Sequence, residues 1–152
     1  MSLILATGSN MGERLKNLEL AKNSLCEIFN FIDESSIYQS DAIEYTNQPE
    51  FYNQVLEFEL PDHEPEEVLK MIAAIETKLG RVRHIPKGPR VIDIDIIFWG
   101  LQKYSSKTLV IPHPSWNERS FVTLPLAELP YFETIQKTFI IPKSFSNTAK
   151  PI

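Results

Sequence analysis

The 152-residue sequence predicts an α+β fold, and two observations carry that prediction. Apolar residues recur at helical spacing in two separate segments of the chain. Around these segments lie stretches in which apolar residues run continuously or alternate with polar ones, as in strands. Their order is β-α-β-β-α-β, the ferredoxin-like pattern. We therefore expect a sandwich of one sheet with both helices on one face, the other face free for a ligand, and an extended C-terminal segment.

The first half of the chain places a helix between two strands. An apolar strand is predicted over 2–7, and a turn follows at 8–12. A second strand is expected around 32–45. A helix is predicted over 13–30, because six apolar residues keep helical spacing there: Leu15, Leu18, Ala21, Leu25, Ile28 and Phe29.

The second half begins with a strand and a second helix. Residues 51–60 alternate between apolar side chains and a face that includes Glu57, which is typical of a strand buried on one face. A helix over 65–80 follows, with proline at its start and glycine at its end. The last predicted strand lies at 91–99. Beyond it the chain is irregular and rich in proline, with a short helix expected near 123–130.

Two aspartates interrupt the apolar strand at 91–99. Asp93 and Asp95 are two positions apart, so their side chains point to the same face, with Cα atoms roughly 6.6 Å apart. Adjacent carboxylates repel each other, so they favour either a water-exposed sheet face or a ligand pair for a hard divalent cation. The strand alone leaves both alternatives open. The opposite face would hold Ile92, Ile94, Ile96 and Phe98.

The segment just before this strand favours the metal site. Residues 80–90 carry four fixed positive charges and no acidic residue. Arginine and lysine bind phosphate oxygens, whereas carboxylates hold a magnesium ion that the phosphates share. A basic segment that leads into a strand with two aspartates therefore suits a phosphate ester bound with its metal.

Composition argues against several function classes. A net charge of −5 opposes general nucleic-acid binding, which normally requires a basic surface. The one cysteine, Cys26, rules out an internal disulfide, and no apolar run is long enough to span a membrane. We expect one domain over 1–152, in the cytoplasm, as a monomer without a nucleic-acid or membrane partner.

Other candidate site residues carry little weight singly. Glu76 lies on the apolar stripe of the second helix, where it is either a rim residue that reaches water or a polar anchor aimed at a ligand. Phe51 and Asn53 share a strand face turned away from the core. That face suits either a covering loop or the binding of a planar heterocycle. His113 lies between two prolines and is held on a stiff backbone.

Several motifs occur together as they do in one known family. They are Gly8-Ser9-Asn10 with Gly12 and Arg14, Phe51-Tyr52-Asn53, Gly80-Arg81-Val82-Arg83, Gly88-Pro89-Arg90-Val91-Ile92-Asp93-Ile94-Asp95, Ile111-Pro112-His113, and Phe121. In this order the chain resembles the 6-hydroxymethyl-7,8-dihydropterin pyrophosphokinases of folate biosynthesis. The resemblance implies transfer of pyrophosphate from ATP to the hydroxymethyl group of a reduced pterin, with release of AMP.

The resemblance also implies roles for individual residues. Asp93 and Asp95 would bind two Mg²⁺ ions, and Arg81 and Arg90 would engage the transferring phosphates. The positions that match the ATP site are Glu76, Arg83, Ile96, His113 and Arg119. The positions that match the pterin site are Ser40, Asp41, Ile43, Phe51, Asn53 and Phe121, with the two aromatic rings stacked on either side of the pterin. ATP and the reduced pterin are the expected partners.

The chain departs from the family in the segment 84–87. This segment looks shorter than in better-known members, and Lys87 stands where a tryptophan usually precedes Gly-Pro-Arg. Ser40 and Asp41 replace a Thr-Pro pattern. A weakly active or inactive paralogue that binds nucleotide or pterin is therefore one alternative. An RNA-binding module with the same fold is another, and two aspartates on its sheet face oppose it.

Overall fold

The computed structural model describes residues 1–42, 47–82 and 88–152. The strands within these ranges are β1 (Ser2–Ser9), β2 (Phe31–Glu34), β3 (Tyr38–Ser40), β4 (Phe51–Glu59), β5 (Asp93–Trp99), β6 (Tyr104–Ser105), β7 (Val110–Ile111) and β8 (Ala149–Pro151). The helices are α1 (Arg14–Cys26), α2 (Pro65–Lys78), α3 (Ser120–Leu126) and α4 (Phe132–Thr138). None of these helices is long and apolar enough to cross a membrane.

One antiparallel sheet organises the structure. Its strands lie in the order β5-β1-β4-β3-β8, and β2 pairs with β4 beside β3. The strand predicted over 32–45 is thus two short strands, and the end of that prediction falls outside the described residues. The two strands separate at Ser35, whose hydroxyl oxygen accepts the Val55 amide at 2.9 Å while its own amide donates to the Val55 carbonyl.

Helices α1 and α2 pack on one face of the sheet, as the sequence predicts. They form the first core with the strand residues that face them, including Leu5, Leu56 and Ile94. α1 ends at Cys26 rather than at residue 30. The chain turns there and directs Phe29 into this core against Phe58, with ring centroids 5.7 Å apart.

The opposite face of the sheet is largely covered, which corrects the expectation that it is free for a ligand. α3 and α4 pack there; α3 was predicted a few residues too late, and α4 was not predicted. The alternation of polar and apolar residues in β4 suggests that one face of this strand is exposed. That is wrong, because Val55 and Glu57 on that face are both buried. The structure is therefore a mixed α/β fold with helices on both faces of an antiparallel sheet. The second core contains Ile4, Val55, Ile97, Phe98, Trp116, Val122, Leu126, Leu129, Tyr131 and Ile135.

A bulge in β5 divides its apolar residues between the two cores. The register between β1 and β5 shifts so that Leu5 pairs with Ile96 whereas Ile4 pairs with Phe98, which leaves Ile97 as the extra residue. The prediction that Phe98 faces the first core is therefore wrong. A shift of one residue reverses the face of every side chain that follows it.

Glu57 joins the second core to the N-terminal strand. Its side chain is 3% exposed and accepts hydrogen bonds from the Ser2 hydroxyl at 2.8 Å and from the Tyr131 amide at 3.3 Å. Tyr131 immediately precedes α4. One buried carboxylate therefore links β1, β4 and the C-terminal helices.

We expect Glu57→Ala to lower the free energy of unfolding by about 2–4 kcal/mol, because it leaves two buried donors without an acceptor and opens a cavity. Glu57→Gln keeps one carbonyl oxygen and a similar volume, so it should cost roughly half as much. Urea unfolding followed by the fluorescence of Trp99 and Trp116 measures both losses. Equal losses in the two variants would contradict a role for the oxygen acceptors.

Candidate active site

A cavity of about 450 Å³ lies on the sheet face that also carries the second core, with Ile97 and Val122 of that core in its wall. It brings together residues from both halves of the chain. All but two of the predicted site residues that the structure describes lie in the lining of this cavity. The residues in the lining are Ser40, Asp41, Phe51, Asn53, Arg81, Arg90, Asp93, Asp95, His113, Arg119 and Phe121.

The remaining predicted residues do not contribute to this lining. Glu76 and Ile96 are buried, with 5% and 3% of their surfaces exposed, and Ile96 packs in the first core. Arg83 and Ile43 lie outside the described residues, as does the segment 84–87 in which the chain departs from the family pattern.

Gly8 forms the floor of the cavity between two functional strands. In the sheet register it lies between Asp93 of β5 and Asn53 of β4. A Cβ atom at this position would lie 3.3 Å from Asn53 Oδ1 and 3.5 Å from the Phe51 ring. Sequence reasoning did not assign Gly8 a role in the site. Because Gly8 has no side chain, Asp93 of β5 and the side-chain amide of Asn53 both face the same cavity.

Two arginines hold Asp93. Arg81 Nη1 donates to Asp93 Oδ1 at 2.8 Å, and Arg90 Nη1 donates to Asp93 Oδ2 at 3.0 Å. The two arginines predicted to engage phosphates thus neutralise an aspartate predicted to bind metal. Their side chains are only 12% and 19% exposed, so these ion pairs are largely shielded from water.

Glu76 anchors this cluster from α2. Its carboxylate accepts a hydrogen bond from Arg81 Nη1 at 2.5 Å and one from the backbone amide of Ile94 at 2.8 Å. Burial raises the pKa of Glu76, although the Ile94 amide and the charge of Arg81 oppose the shift. The anchor interpretation of Glu76 is thus favoured over the rim interpretation, but the anchor holds the strand and Arg81 and does not line the cavity.

Asp95 faces the cavity opposite Ala6 of β1. Burial and the neighbouring charge of Asp93 raise the pKa of Asp95 to about 7, and the charge of Arg119 offsets part of the rise. A carboxyl group with this pKa exchanges its proton near neutral pH. A cation bound there would compete with that proton.

The donor atoms suit a cation shared with a bound ligand. Within the described ranges, no group of three or more His, Cys, Asp or Glu side chains is arranged to hold a metal ion. Asp93 and Asp95 are therefore the candidate protein donors. Magnesium in phosphate sites uses one or two carboxylates together with substrate oxygens and water, so two carboxylates fit this ion.

The rest of the cavity lining includes an amide and two aromatic rings. Asn53 Nδ2 donates to the Ser40 hydroxyl at 2.8 Å, which leaves the Asn53 carbonyl oxygen on the Gly8 side of the cavity. The Phe51 ring centre lies 5.3 Å from the guanidinium of Arg90, so the aromatic and cationic parts of the site adjoin. Similarly, the Phe121 ring centre lies 5.8 Å from the guanidinium carbon of Arg119.

His113 is held at the cavity by its backbone and its ring. Its amide donates to the Ile97 carbonyl at 2.9 Å, and its Nδ1 accepts the Ser115 amide at 3.1 Å. Because Nδ1 is the acceptor, the neutral ring carries its proton on Nε2. The Ile111–Pro112 peptide bond just before it is cis.

Asn10 joins two segments that reach the cavity, and sequence reasoning assigned it no role beyond its motif. Its Oδ1 accepts the Arg90 amide at 2.8 Å, and its Nδ2 donates to Gln48 Oε1 at 2.8 Å and to the Pro49 carbonyl at 3.0 Å. The side chain is 1% exposed. Asn10 thus fixes the segment that carries Arg90 relative to the segment that enters β4.

A comparison of the whole sequence with protein-family profiles agrees with the family suggested by the motifs. The sequence profile of the 7,8-dihydro-6-hydroxymethylpterin-pyrophosphokinase family matches residues 4–131. The chain belongs to this family. The family prediction made from the sequence motifs is therefore confirmed.

Relatives of this chain differ widely in length. The 2-amino-4-hydroxy-6-hydroxymethyldihydropteridine pyrophosphokinase of Bacillus subtilis is 36% identical over 127 residues, which cover 82% of this chain and 75% of that protein. The folic acid synthesis protein fol1 of Pneumocystis carinii is 39% identical over 129 residues, covering 84% of this chain. This chain spans only 17% of the length of that fungal relative.

A solved structure shares the fold of this chain. The HPPK-DHPS protein of Plasmodium falciparum, a triple mutant with pteroate, superposes with a TM-score of 0.60 at 14% sequence identity. The match covers 82% of this chain and 39% of that chain. At this identity the likeness concerns the fold.

We expect Asp95→Asn to make the protein more stable in EDTA at pH 8, by about 1–3 kcal/mol, because it removes a buried charge. The folded-state pKa of Asp95 is about 7, above the ordinary 3.8, so its ionised form destabilises the fold above pH 7. This loss of folding stability shrinks as the pH falls toward 4, because Asp95 then becomes protonated in the folded state. Urea unfolding between pH 5 and 8 should show the gain shrinking at low pH.

Asp93→Asn is the matched contrast. It removes the acceptor charge from two arginines, so it should destabilise the protein across the same pH range. A stability gain in both variants, or a gain for Asp95→Asn that does not change with pH, would contradict this assignment of charge.

We expect Asn10→Asp to lower the free energy of unfolding by about 1–3 kcal/mol. The variant keeps an oxygen for the Arg90 amide but turns a second oxygen toward Gln48 Oε1 and the Pro49 carbonyl. Amide hydrogen exchange should rise at 47–50 and 88–90. Asn23→Asp adds the same charge on the exposed face of α1 and should change stability by less than about 0.5 kcal/mol. Equal losses of stability in the two variants would show that the added charge is responsible, and not the loss of the hydrogen bonds made by Asn10.

Proposed function

We propose that this chain transfers pyrophosphate from ATP to the hydroxymethyl group of 6-hydroxymethyl-7,8-dihydropterin, which gives AMP and the pterin diphosphate in folate biosynthesis. The observation that carries the proposal is the convergence of two aspartates, two arginines and an amide–aromatic wall on one cavity. Family membership supplies the reaction class, and the cavity offers matching chemistry for the phosphates and for a planar ring.

In the proposed reaction the hydroxyl oxygen of the pterin forms a bond to the β-phosphorus of ATP. The bond from that phosphorus to the oxygen that bridges to the α-phosphate breaks, AMP leaves with this oxygen, and the hydroxyl proton passes to water. Transfers of this kind depend on alignment and charge neutralisation more than on covalent chemistry by the protein. The side chains of the cavity are suited to both tasks.

Asp93 and Asp95 would hold Mg²⁺, and we propose two ions. When bound, such ions neutralise phosphate oxygens and align the attacking and leaving oxygens. Arg81 and Arg90 would turn from Asp93 to the transferring phosphates. An arginine contact of this kind is worth about 10³-fold or more in related chemistry. Because Asp93 would release its arginines as it takes a cation, the charge of the cluster stays balanced.

The pterin is assigned to the wall between Phe51 and Phe121. Two aromatic rings can stack on both faces of a planar heterocycle, and the carbonyl oxygen of Asn53 can accept a hydrogen bond from a ring or amino N–H. Ser40 supports this orientation, since its hydroxyl oxygen accepts from Asn53 Nδ2. Asp41 and Ile43 complete the proposed pterin site.

ATP is assigned to Glu76, Arg83, Ile96, His113 and Arg119. His113 and Arg119 line the cavity, which supports their assignment. Glu76 would act by holding Arg81 in place, and Ile96 would act through its backbone, because its side chain packs in the first core.

We also interpret the strand order as a ferredoxin-like arrangement to which further elements are added. β5, β1 and β4, with β2 and β3 on the far side of β4, follow the order expected for β-α-β-β-α-β. α3, α4 and β8 are then additions that cover the second face.

Formation of AMP from ATP, Mg²⁺ and 6-hydroxymethyl-7,8-dihydropterin tests the proposed function. We expect turnover that Asp95→Ala lowers by at least about 10²-fold, because a cation loses a ligand. Asp62→Ala removes an exposed acid far from the cavity lining and should leave turnover unchanged. AMP at background level while both substrates bind would favour the inactive paralogue. Most activity retained in Asp95→Ala would disprove the metal assignment.

A further inference from the structure

The C-terminal segment 147–151 contacts both walls of the proposed pterin site. At its start, Asn147 Oδ1 accepts hydrogen bonds from the Ser120 amide at 2.8 Å and from the Ser120 hydroxyl at 2.5 Å. Asn147 Nδ2 donates to the Glu118 carbonyl at 2.8 Å. One amide side chain therefore holds the backbone on both sides of Arg119, and Phe121 follows at once.

The bond to the Ser120 amide acts as a helix cap supplied from a distant part of the chain. Ser120 is the first residue of α3, and the side chain of the preceding Arg119 makes no capping hydrogen bond. Amides in the first turn of a helix have no partner within the helix, so an outside acceptor stabilises that turn. Ser120 is 1% exposed, which makes such an acceptor necessary. Phe121 lies in the turn that Asn147 caps.

The other end of the segment belongs to the sheet. In the register of β3 and β8, Ser40 pairs with Ala149 and Gln39 pairs with Lys150. The Ile152 amide continues the ladder by donating to the Ile37 carbonyl at 3.1 Å. Ser40 in turn accepts from Asn53 Nδ2. The segment thus supports the strand that orients the amide of the opposite wall.

We propose that residues 147–151 form a strap that sets the spacing between Phe121 and the Ser40–Asn53 pair, with Asn147 as a positioning residue for pterin binding. The inference rests on the proposed function and goes beyond it, because the family profile ends at residue 131. Only one residue, Thr148, separates the helix clamp from the strand pairing. On this proposal, so short a connection transmits a displacement of α3 to β3.

Calorimetric titration with two probes separates this role from a general loss of structure. The probes are 6-hydroxymethyl-7,8-dihydropterin and α,β-methylene-ATP with Mg²⁺. We expect Asn147→Ala to raise the pterin Kd by about tenfold, which corresponds to the loss of one or two hydrogen bonds. The nucleotide Kd should rise by a smaller factor, because Asn147 also holds the backbone beside Arg119. Asn147→Asp keeps the acceptor for Ser120 and should restore most of the pterin affinity. Ser146→Ala, at an exposed neighbour outside the strap, should match the unchanged chain.

Amide hydrogen exchange tests the strap without any ligand. Asn147→Ala should speed exchange in 118–124, and Lys150→Pro should speed exchange in 37–42, because proline removes a donor from the β3–β8 ladder. Unchanged exchange at both places, or equal weakening of both ligands, would overturn the strap. Absence of pterin binding and of AMP formation in the unchanged chain would instead refute the proposed function, and the exchange data would then decide the strap alone.

Discussion

The arrangement of the site depends on the hydrogen bonds that the carboxylate of Glu76 accepts. This carboxylate lies on α2, accepts the backbone amide of Ile94 on β5 and holds Arg81, which holds Asp93 in turn. The helix α2, the edge strand β5 and the carboxylate of Asp93 are therefore linked by one series of charge-assisted hydrogen bonds. In a low-dielectric interior such a series is favourable only when each member has its partner, so its parts must form together.

The cavity owes its shape to incomplete coverage of one sheet face. Large side chains such as Phe98 and Trp116 close most of that face, with ring centroids 5.0 Å apart. Further along the same face, Ala6 and Gly8 project too little to fill the space under α3. The packing that excludes water from the second core therefore also builds one wall of the site, through Val122.

Local patterns predicted the features that depend on a single strand or helix. The period of two placed Asp93 and Asp95 on one face, and both line the cavity. Patterns failed where distant packing decides the outcome, as at Glu57, whose buried carboxylate accepts a hydrogen bond from Tyr131, 74 residues later in the chain. Asn10 was missed for the same reason, since its partners lie 38 and 80 residues away. His113 was singled out by its place between two prolines, and the roles of His113 and Arg119 came from the family resemblance and not from periodicity.

The pairing of Asp93 with both arginines makes the binding of a cation and of an anion interdependent. On the proposed assignment, a cation that binds Asp93 would release Arg90 and remove one of the two carboxylate partners of Arg81, so both guanidinium groups could attract phosphate. Phosphate that draws these groups away from Asp93 would in turn leave its carboxylate available to the cation. Each ligand therefore increases the affinity for the other by the same factor, as thermodynamic linkage requires. On that assignment, three side chains would make the binding of metal and of phosphate cooperative within a single chain.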